Sequence, residues 1–190
     1  TQQPAPAQRF AGRSGPLRLL VVGGSLGAKA LNEVVPKALA LLPLAQRPRV
    51  VHQSGARQID ALRAGYAGAG VDAELTPFID DTAPAFAEAD LIVCRAGAST
   101  VTDIAAVGAA ALFVPFPFAV DDHQTTNASF LVDQGGGWLI QQSELSPERL
   151  ARMLQETARP ELLRRAQKAW DLRKTDATRD VVAACEELAK

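Results

Sequence analysis

Cysteine, histidine and aromatic side chains are scarce in this chain. Its 190 residues include two cysteines, two histidines and 5% aromatic residues. The cysteines, Cys94 and Cys185, lie far apart and form no Cys-x-x-Cys pair. Cys94 ends an apolar run and Cys185 sits on an apolar helical face, so both are expected as reduced core thiols. With so few thiols and imidazoles a structural zinc site is not expected. Few aromatics also argue against a base-stacking surface. A formal net charge of −1 removes any overall pull toward nucleic acid or anionic lipid. No apolar stretch approaches the ~18–20 residues of a membrane-spanning helix. The polar first residues do not read as a signal peptide. These absences leave a soluble, cytoplasmic protein, long enough for one domain with a sizeable core.

What is present is an alternation of short apolar runs with helical patterns. Residues 1–16 are rich in Gln, Pro, Ala and Gly, lack periodicity and read as a linker or tail joined to something upstream. Residues 17–190 read as the domain. Leu17–Val22 is a continuous apolar strand, the mark of a parallel strand covered on both faces. Further strands are expected at Arg49–Gln53, Glu74–Pro77, Leu91–Cys94, Ala111–Val114 and Trp138–Gln141. Apolar residues at helical spacing fill the intervals, for example Leu31, Val34, Val35, Ala38 and Leu42. Ser146-Pro147 is an N-cap followed by proline at the first helical position. In the last helix Val181, Val182, Cys185 and Leu188 are expected to face inward. The fold class is α/β: a doubly wound, Rossmann-like domain with a six-stranded parallel sheet. The common order 3-2-1-4-5-6 sets strands 1 and 4 side by side at the switch point, where ligands bind.

Two small-residue loops then face one crevice. Gly23, Gly24 and Gly27 follow the first strand and open a helix; backbone N–H groups there suit a phosphate, and Ser25 adds a hydroxyl. The spacing is neither G-x-G-x-x-G nor a P-loop. Gly97-Ala98-Ser99-Thr100 repeats the arrangement after the fourth strand, and two such helix termini suit a diphosphate. Each loop alone is also explained as a tight turn or a simple N-cap. Asp103, one turn into the second helix, suits the hydroxyls of a ribose, or merely the helix dipole. Phe78-Ile79 ends the third strand, where an aromatic can stack on a base or turn into the core. Asp121-Asp122-His123-Gln124 and Asn127 cluster polar groups that suit a sugar, or a solvated helix start. Two adjacent aspartates are weak grounds for a metal, and no G-x-S-x-G elbow is present.

In order, Val21–Ala28 (VVGGSLGA), His52–Gly55 (HQSG), Phe78–Asp81 (FIDD) and Ala96–Ala128 resemble the C-terminal domain of the MurG family, glycosyltransferase family 28. The likeness runs from about Leu17 to the C-terminus and is most specific over Pro115–Asn127. It implies one half of a GT-B fold whose C-terminal domain holds UDP-N-acetylglucosamine. The full-length family enzyme adds N-acetylglucosamine to lipid-linked muramoyl-pentapeptide in peptidoglycan synthesis, peripherally at the cytoplasmic face of the plasma membrane, with no cofactor or metal. By the same resemblance Ser25 contacts the diphosphate, Phe78 covers the uracil and Ile79 reads it through its backbone. Ala98, Ser99 and Thr100 supply phosphate contacts, and Val101 and Thr102 in the same run also belong to the substrate-binding set. Asp103 holds the ribose, where the family more often has glutamate. Gln124, His123 and Asn127 contact the sugar. The family's N-terminal domain, with the acceptor site, the membrane-docking patch and the candidate base, has no counterpart in this sequence. The chain is therefore expected to be the donor half, inactive alone, with no catalytic residue of its own. Two other readings stay open. One is a separate donor subunit of a two-component N-acetylglucosaminyltransferase. The other is a non-catalytic nucleotide-binding module, which the off-register glycines and the non-acidic His52-Gln53-Ser54 argue against as an NAD site.

Overall fold

The apolar run expected to open the sheet forms β1 (Arg18–Val22) in a computed structural model that describes residues 3–24 and 27–188. Five more parallel strands follow: β2 (Arg49–Gln53), β3 (Glu74–Thr76), β4 (Leu91–Cys94), β5 (Ala111–Phe113) and β6 (Gly137–Leu139). Their order is β3-β2-β1-β4-β5-β6, with β1 and β4 adjacent as the sequence suggested. Successive residues of a strand face opposite sides, so β1 and β4 must be apolar throughout to fill two cores. Leu19, Val21, Leu91 and Val93 pack on one side with α2 (Lys29–Ala40), α3 (Ile59–Ala69) and α7 (Pro147–Glu156). Leu20, Ile92 and Cys94 pack on the other with α4 (Thr82–Glu88), α5 (Ala98–Val107) and α6 (His123–Val132). The next helix, α8 (Arg159–Asp171), gives Leu162 and Ala166 to the first core and Ala169 to the second. Burial pushes the Cys94 thiol pKa up, so it stays protonated.

The stretch expected as a linker has structure of its own. Helix α1 (Pro6–Phe10) begins with proline at its first position and buries Phe10. The Arg9 guanidinium donates to the carbonyls of Ala87, Val107 and Gly108, at the ends of α4 and α5, where helical carbonyls lack partners. Burial, and then the neighbouring Arg13, lower the Arg9 pKa to about 10, which leaves it charged. Arg13 donates to Asp90 at 2.7 Å, and Arg159 donates to the other carboxylate oxygen at 3.0 Å. Asp90 is buried at the start of β4, and burial alone raises its pKa. The hydrogen bonds from Arg13, the Arg18 backbone and Arg159 outweigh that and hold the carboxyl below its ordinary value. No periodicity announces this docking, because it rests on guanidinium reach rather than on an apolar stripe.

The last helix is a second correction. Val181, Val182, Cys185 and Leu188 lie on α9 (Ala177–Leu188), but Val181 is 63% and Leu188 90% exposed, and Cys185 is an exposed thiol. An apolar period marks a face fit for burial, not the surface that buries it. No described element covers this one.

A buried polar network ties the end of β2 to two helices. His52 Nε2 meets Asn32 Oδ1 and its Nδ1 meets Tyr66 Oη, both at 3.0 Å. Asn32 Nδ2 donates to the Ser54 carbonyl and to Gln58 Oε1, so Oδ1 is the acceptor and His52 carries its proton on Nε2. Nδ1 then accepts from the Tyr66 hydroxyl, and a second ring proton would displace that bond. Burial lowers the His52 pKa to about 3. The unfolded chain, with an ordinary histidine, binds a proton at higher pH than the folded one. This contribution to stability is therefore complete above about pH 6.5 and is lost as pH falls toward the folded value. Lowering pH from 6.5 to 4 should cost about 3 kcal/mol, a fall in Tm of roughly 6–12 °C. His52→Gln should lower Tm at pH 7 yet flatten this dependence; equal slopes for both proteins in thermal melts would refute the assignment.

Candidate functional site

The candidate residues among those described lie at the carboxyl edge of the sheet, because every helix that directly follows a strand starts there. At the switch point Val22 of β1 pairs with Cys94 of β4, so the loops leaving them flank one crevice. In the first loop the Gly23 N–H donates to the Gln53 carbonyl, and the Gly27 N–H closes a turn onto the Gly24 carbonyl at 2.9 Å. Ser25, assigned to a diphosphate by resemblance, lies outside the described residues. Gly27 has φ +76°, and a Cβ there would stand 2.2 Å from the Ser54 carbonyl oxygen. The glycine lets the start of α2 press onto the end of β2. Helix α2 begins after Ala28 with no side-chain cap, and the first N–H groups of a helix have no partner within it.

The second loop is held by α6. Gln124 Oε1 accepts from the Ala96 N–H at 3.2 Å and the Phe116 N–H at 3.0 Å, and Asn127 Nδ2 donates to the Ala96 carbonyl at 3.0 Å. Two of the polar residues expected at a sugar thus also sew the β4 and β5 loops together. Helix α5 opens after Gly97, again without a side-chain cap, with Ala98 and Ser99 exposed and Thr100 half-buried. Val101 is buried in the core, so only its backbone faces the loop. The Thr102 hydroxyl donates back to the Ala98 carbonyl at 2.9 Å. Asp103 is solvent-accessible one turn into the helix, and partial burial raises its carboxyl pKa.

Phe78 and Ile79 leave β3 on the far side of β2. Phe78 is 56% exposed, and its carbonyl accepts from the Thr76 hydroxyl at 2.7 Å. Ile79 packs part of its side chain on the second core, while its backbone N–H and C=O make no hydrogen bond among the described residues. On the opposite rim His123 is exposed at the start of α6. Asp121 and Asp122 both adopt φ 51° just before it, and the Asp122 carboxylate accepts from the Thr125 hydroxyl at 2.7 Å. Among the described residues no group of three or more His, Cys, Asp or Glu side chains is gathered as for a metal.

Two residues at this edge carry more than sequence reasoning assigned them. Arg95 donates to the Val114 and Pro115 carbonyls at 3.0 Å and to Gln142 Oε1 at 2.6 Å, with its guanidinium over the Phe116 ring. A lone cation straight after a wholly apolar strand was the signal. Gln53, buried at the end of β2, binds backbone of both the glycine loop and the Phe78 loop. Packing of the glycine loop is testable at once. Gly27→Ala combines left-handed backbone with overlap on a carbonyl and should cost upwards of ~2 kcal/mol, or at least ~4–8 °C in Tm. Gly24→Ala, at φ +80° in open space, should cost about half as much; equal losses in parallel melts would reject the packing account.

Residues 18–181 match the model of the glycosyltransferase family 28 C-terminal domain. The UDP-N-acetylglucosamine--N-acetylmuramyl-(pentapeptide) pyrophosphoryl-undecaprenol N-acetylglucosamine transferase of Polaromonas sp. is 76% identical over 189 residues, covering 100% of this chain and 49% of the relative. The enzyme of the same name from Albidiferax ferrireducens is 74% identical over 189 residues, with the same coverage. The crystal structure of Acinetobacter baumannii MurG matches at a TM-score of 0.90 and 44% identity, over 97% of this chain and 53% of that one. The chain spans about half the length of the curated relatives it matches. With its sheet order, its paired helix starts and this match along nearly its whole length, the chain belongs to glycosyltransferase family 28, as a C-terminal domain of that family.

Proposed function

We propose that this chain is the donor-binding half of an inverting N-acetylglucosaminyltransferase and holds UDP-N-acetylglucosamine at the β1/β4 switch point. The observation that carries the reading is the pair of uncapped helix starts, α2 and α5, set side by side there. Their free amides and positive dipole ends suit the diphosphate and grow more favourable as negative charge develops on the leaving group. They supply stabilisation that a divalent cation supplies in other nucleotide sites, so no metal is required in this reading. Gly23, Gly24 and Gly27, with Ser25, line the diphosphate from one side. Ala98, Ser99 and Thr100 line it from the other, backed by the backbone of Val101 and Thr102. The Asp103 carboxylate accepts from the ribose hydroxyls. Phe78 lies over the uracil, and the unspent N–H and C=O of Ile79 read its edge. His123, Gln124 and Asn127 face the sugar.

The relatives' shared name supports the rest of the reaction. The full-length protein passes N-acetylglucosamine to the muramoyl-pentapeptide on undecaprenyl diphosphate. An acceptor hydroxyl attacks the anomeric carbon from the face opposite the UDP, which departs with inversion. The acceptor and the base that takes its proton belong to the other half, and that half brings the protein to the cytoplasmic face of the membrane. Among the described residues no helix is long and apolar enough to cross it. Residues 17–190 form the donor domain, α1 docks onto it, and the first residues lead toward the acceptor half. Alone, the chain binds donor and transfers nothing.

Calorimetric titration with UDP-N-acetylglucosamine, UDP and NADH tests this directly. Uridine nucleotides should bind and NADH should not. Asp103→Ala should weaken UDP about tenfold, the worth of one charge-assisted pair of hydrogen bonds, and Asp103→Glu should largely keep it. Preference for NADH, or UDP binding indifferent to Asp103→Ala, would sink the assignment.

A further inference from the structure

Gln53 belongs to none of the ligand contacts above, yet its buried amide meets two of the loops that make them. It is 2% exposed. Its Oε1 accepts from the Gly24 N–H at 3.1 Å and its Nε2 donates to the Gly24 carbonyl at 2.9 Å. The side chain thus pairs with Gly24 as a neighbouring strand would, one rung beyond the backbone bond from Gly23 to the Gln53 carbonyl. The second Nε2 hydrogen goes to the Pro77 carbonyl at 3.2 Å, directly before Phe78. Among the described residues Gln53 is the one side chain hydrogen-bonded to both loops. The position calls for one acceptor and two donors in a plane, out of water. A carboxamide meets that demand; a carboxylate brings charge against two carbonyl oxygens, and an apolar side chain leaves three backbone groups unpaired.

We propose that Gln53 is a positioning residue that fixes the distance between the diphosphate loop and the Phe78 loop, so that one nucleotide spans both. The inference rests on the donor-site reading above. A uridine diphosphate gains from being one molecule only when its two subsites are held at the right separation; either fragment alone tolerates a shift of one loop against the other. Among the described residues no ionisable side chain hydrogen-bonds to Gln53. On its own strand the neighbouring His52 points to the opposite face, toward Asn32 and Tyr66. A titration introduced here therefore belongs to the new side chain.

The test compares the 190-residue chain with Gln53→Glu and Gln53→Met, at a temperature where circular dichroism shows all three folded. At pH 8 both variants should bind UDP at least tenfold more weakly, while uridine, followed by NMR shifts, changes less than threefold. Toward pH 5, relative to the parent chain at each pH, Gln53→Glu should recover most of its UDP affinity, because the protonated carboxyl again offers an acceptor and a donor. Gln53→Met should recover none. A folded variant that binds UDP like the parent chain would overturn the proposal, as would a loss in Gln53→Glu that acid does not reverse or that falls equally on uridine. If the parent chain itself binds no uridine nucleotide, the donor-site reading fails first and takes this inference with it.

Discussion

Backbone amides at a helix start have no partner within the helix, and this chain treats its helix ends unequally. A parallel sheet needs crossover helices, so the helix starts collect at one edge and the helix ends at the other. At the lower edge the orphan carbonyls are answered by side chains. Arg9 takes those closing α4 and α5, and Arg13 takes the carbonyls of Ala87 and Ala89 together with buried Asp90. At the upper edge α2, α4, α5 and α6 all begin without a side-chain cap. By contrast α7, away from the switch point, is capped by the Ser146 hydroxyl. Most helix starts in the chain are uncapped, α1, α3 and α8 included, but two of them, α2 and α5, flank the β1/β4 pair. An anion bound there, as the donor-site reading has it, would gain both the amides and the dipoles.

The loops of this edge are held largely by side-chain amides. Gln124 and Asn127 fasten the start of α5 to α6, and Gln53 fastens the glycine loop to the end of β3. Asn32 and His52 lock the floor beneath them. A carboxamide offers donor and acceptor together without charge, so it joins backbone groups near an anion site without repelling the anion. Arg95 adds a guanidinium spent on carbonyls and on the Phe116 ring, which keeps the β5 loop upright beside the crevice.

Much of this was legible in the residues. The continuous apolar runs of β1 and β4 marked strands covered on both faces, and the glycine and small-residue turns marked the two loops at the switch point. The docking of α1 was not legible, because Arg9 and Arg13 act on carbonyls far away in sequence, which leave no local pattern. Gln53 escaped notice for the same reason, since it acts on backbone atoms of loops fixed only by strand order, whereas Arg95 was marked only by being a lone cation after an apolar strand. The inward face assigned to α9 failed differently. Its apolar stripe is real, but burial needs a second surface, and this chain spans about half the length of its relatives.

The two histidines bear on where the proton of an acceptor hydroxyl can go. His52 is committed: both ring nitrogens are hydrogen-bonded, and burial holds its pKa near 3, so it neither reaches the crevice nor accepts a proton at neutral pH. His123 and Asp103 are exposed at the edge, but Asp103 sits one turn into α5, the helix whose start faces the diphosphate in the proposed reading. Inversion at the anomeric carbon requires the base on the face opposite the leaving group. In the proposed reading a group on the helix that faces the diphosphate, as Asp103 is, stands on the wrong side for that task. On the proposed donor-binding reading the chemistry divides between two halves: this one would stabilise the charge of the departing nucleotide, and the acceptor would be deprotonated from across the crevice.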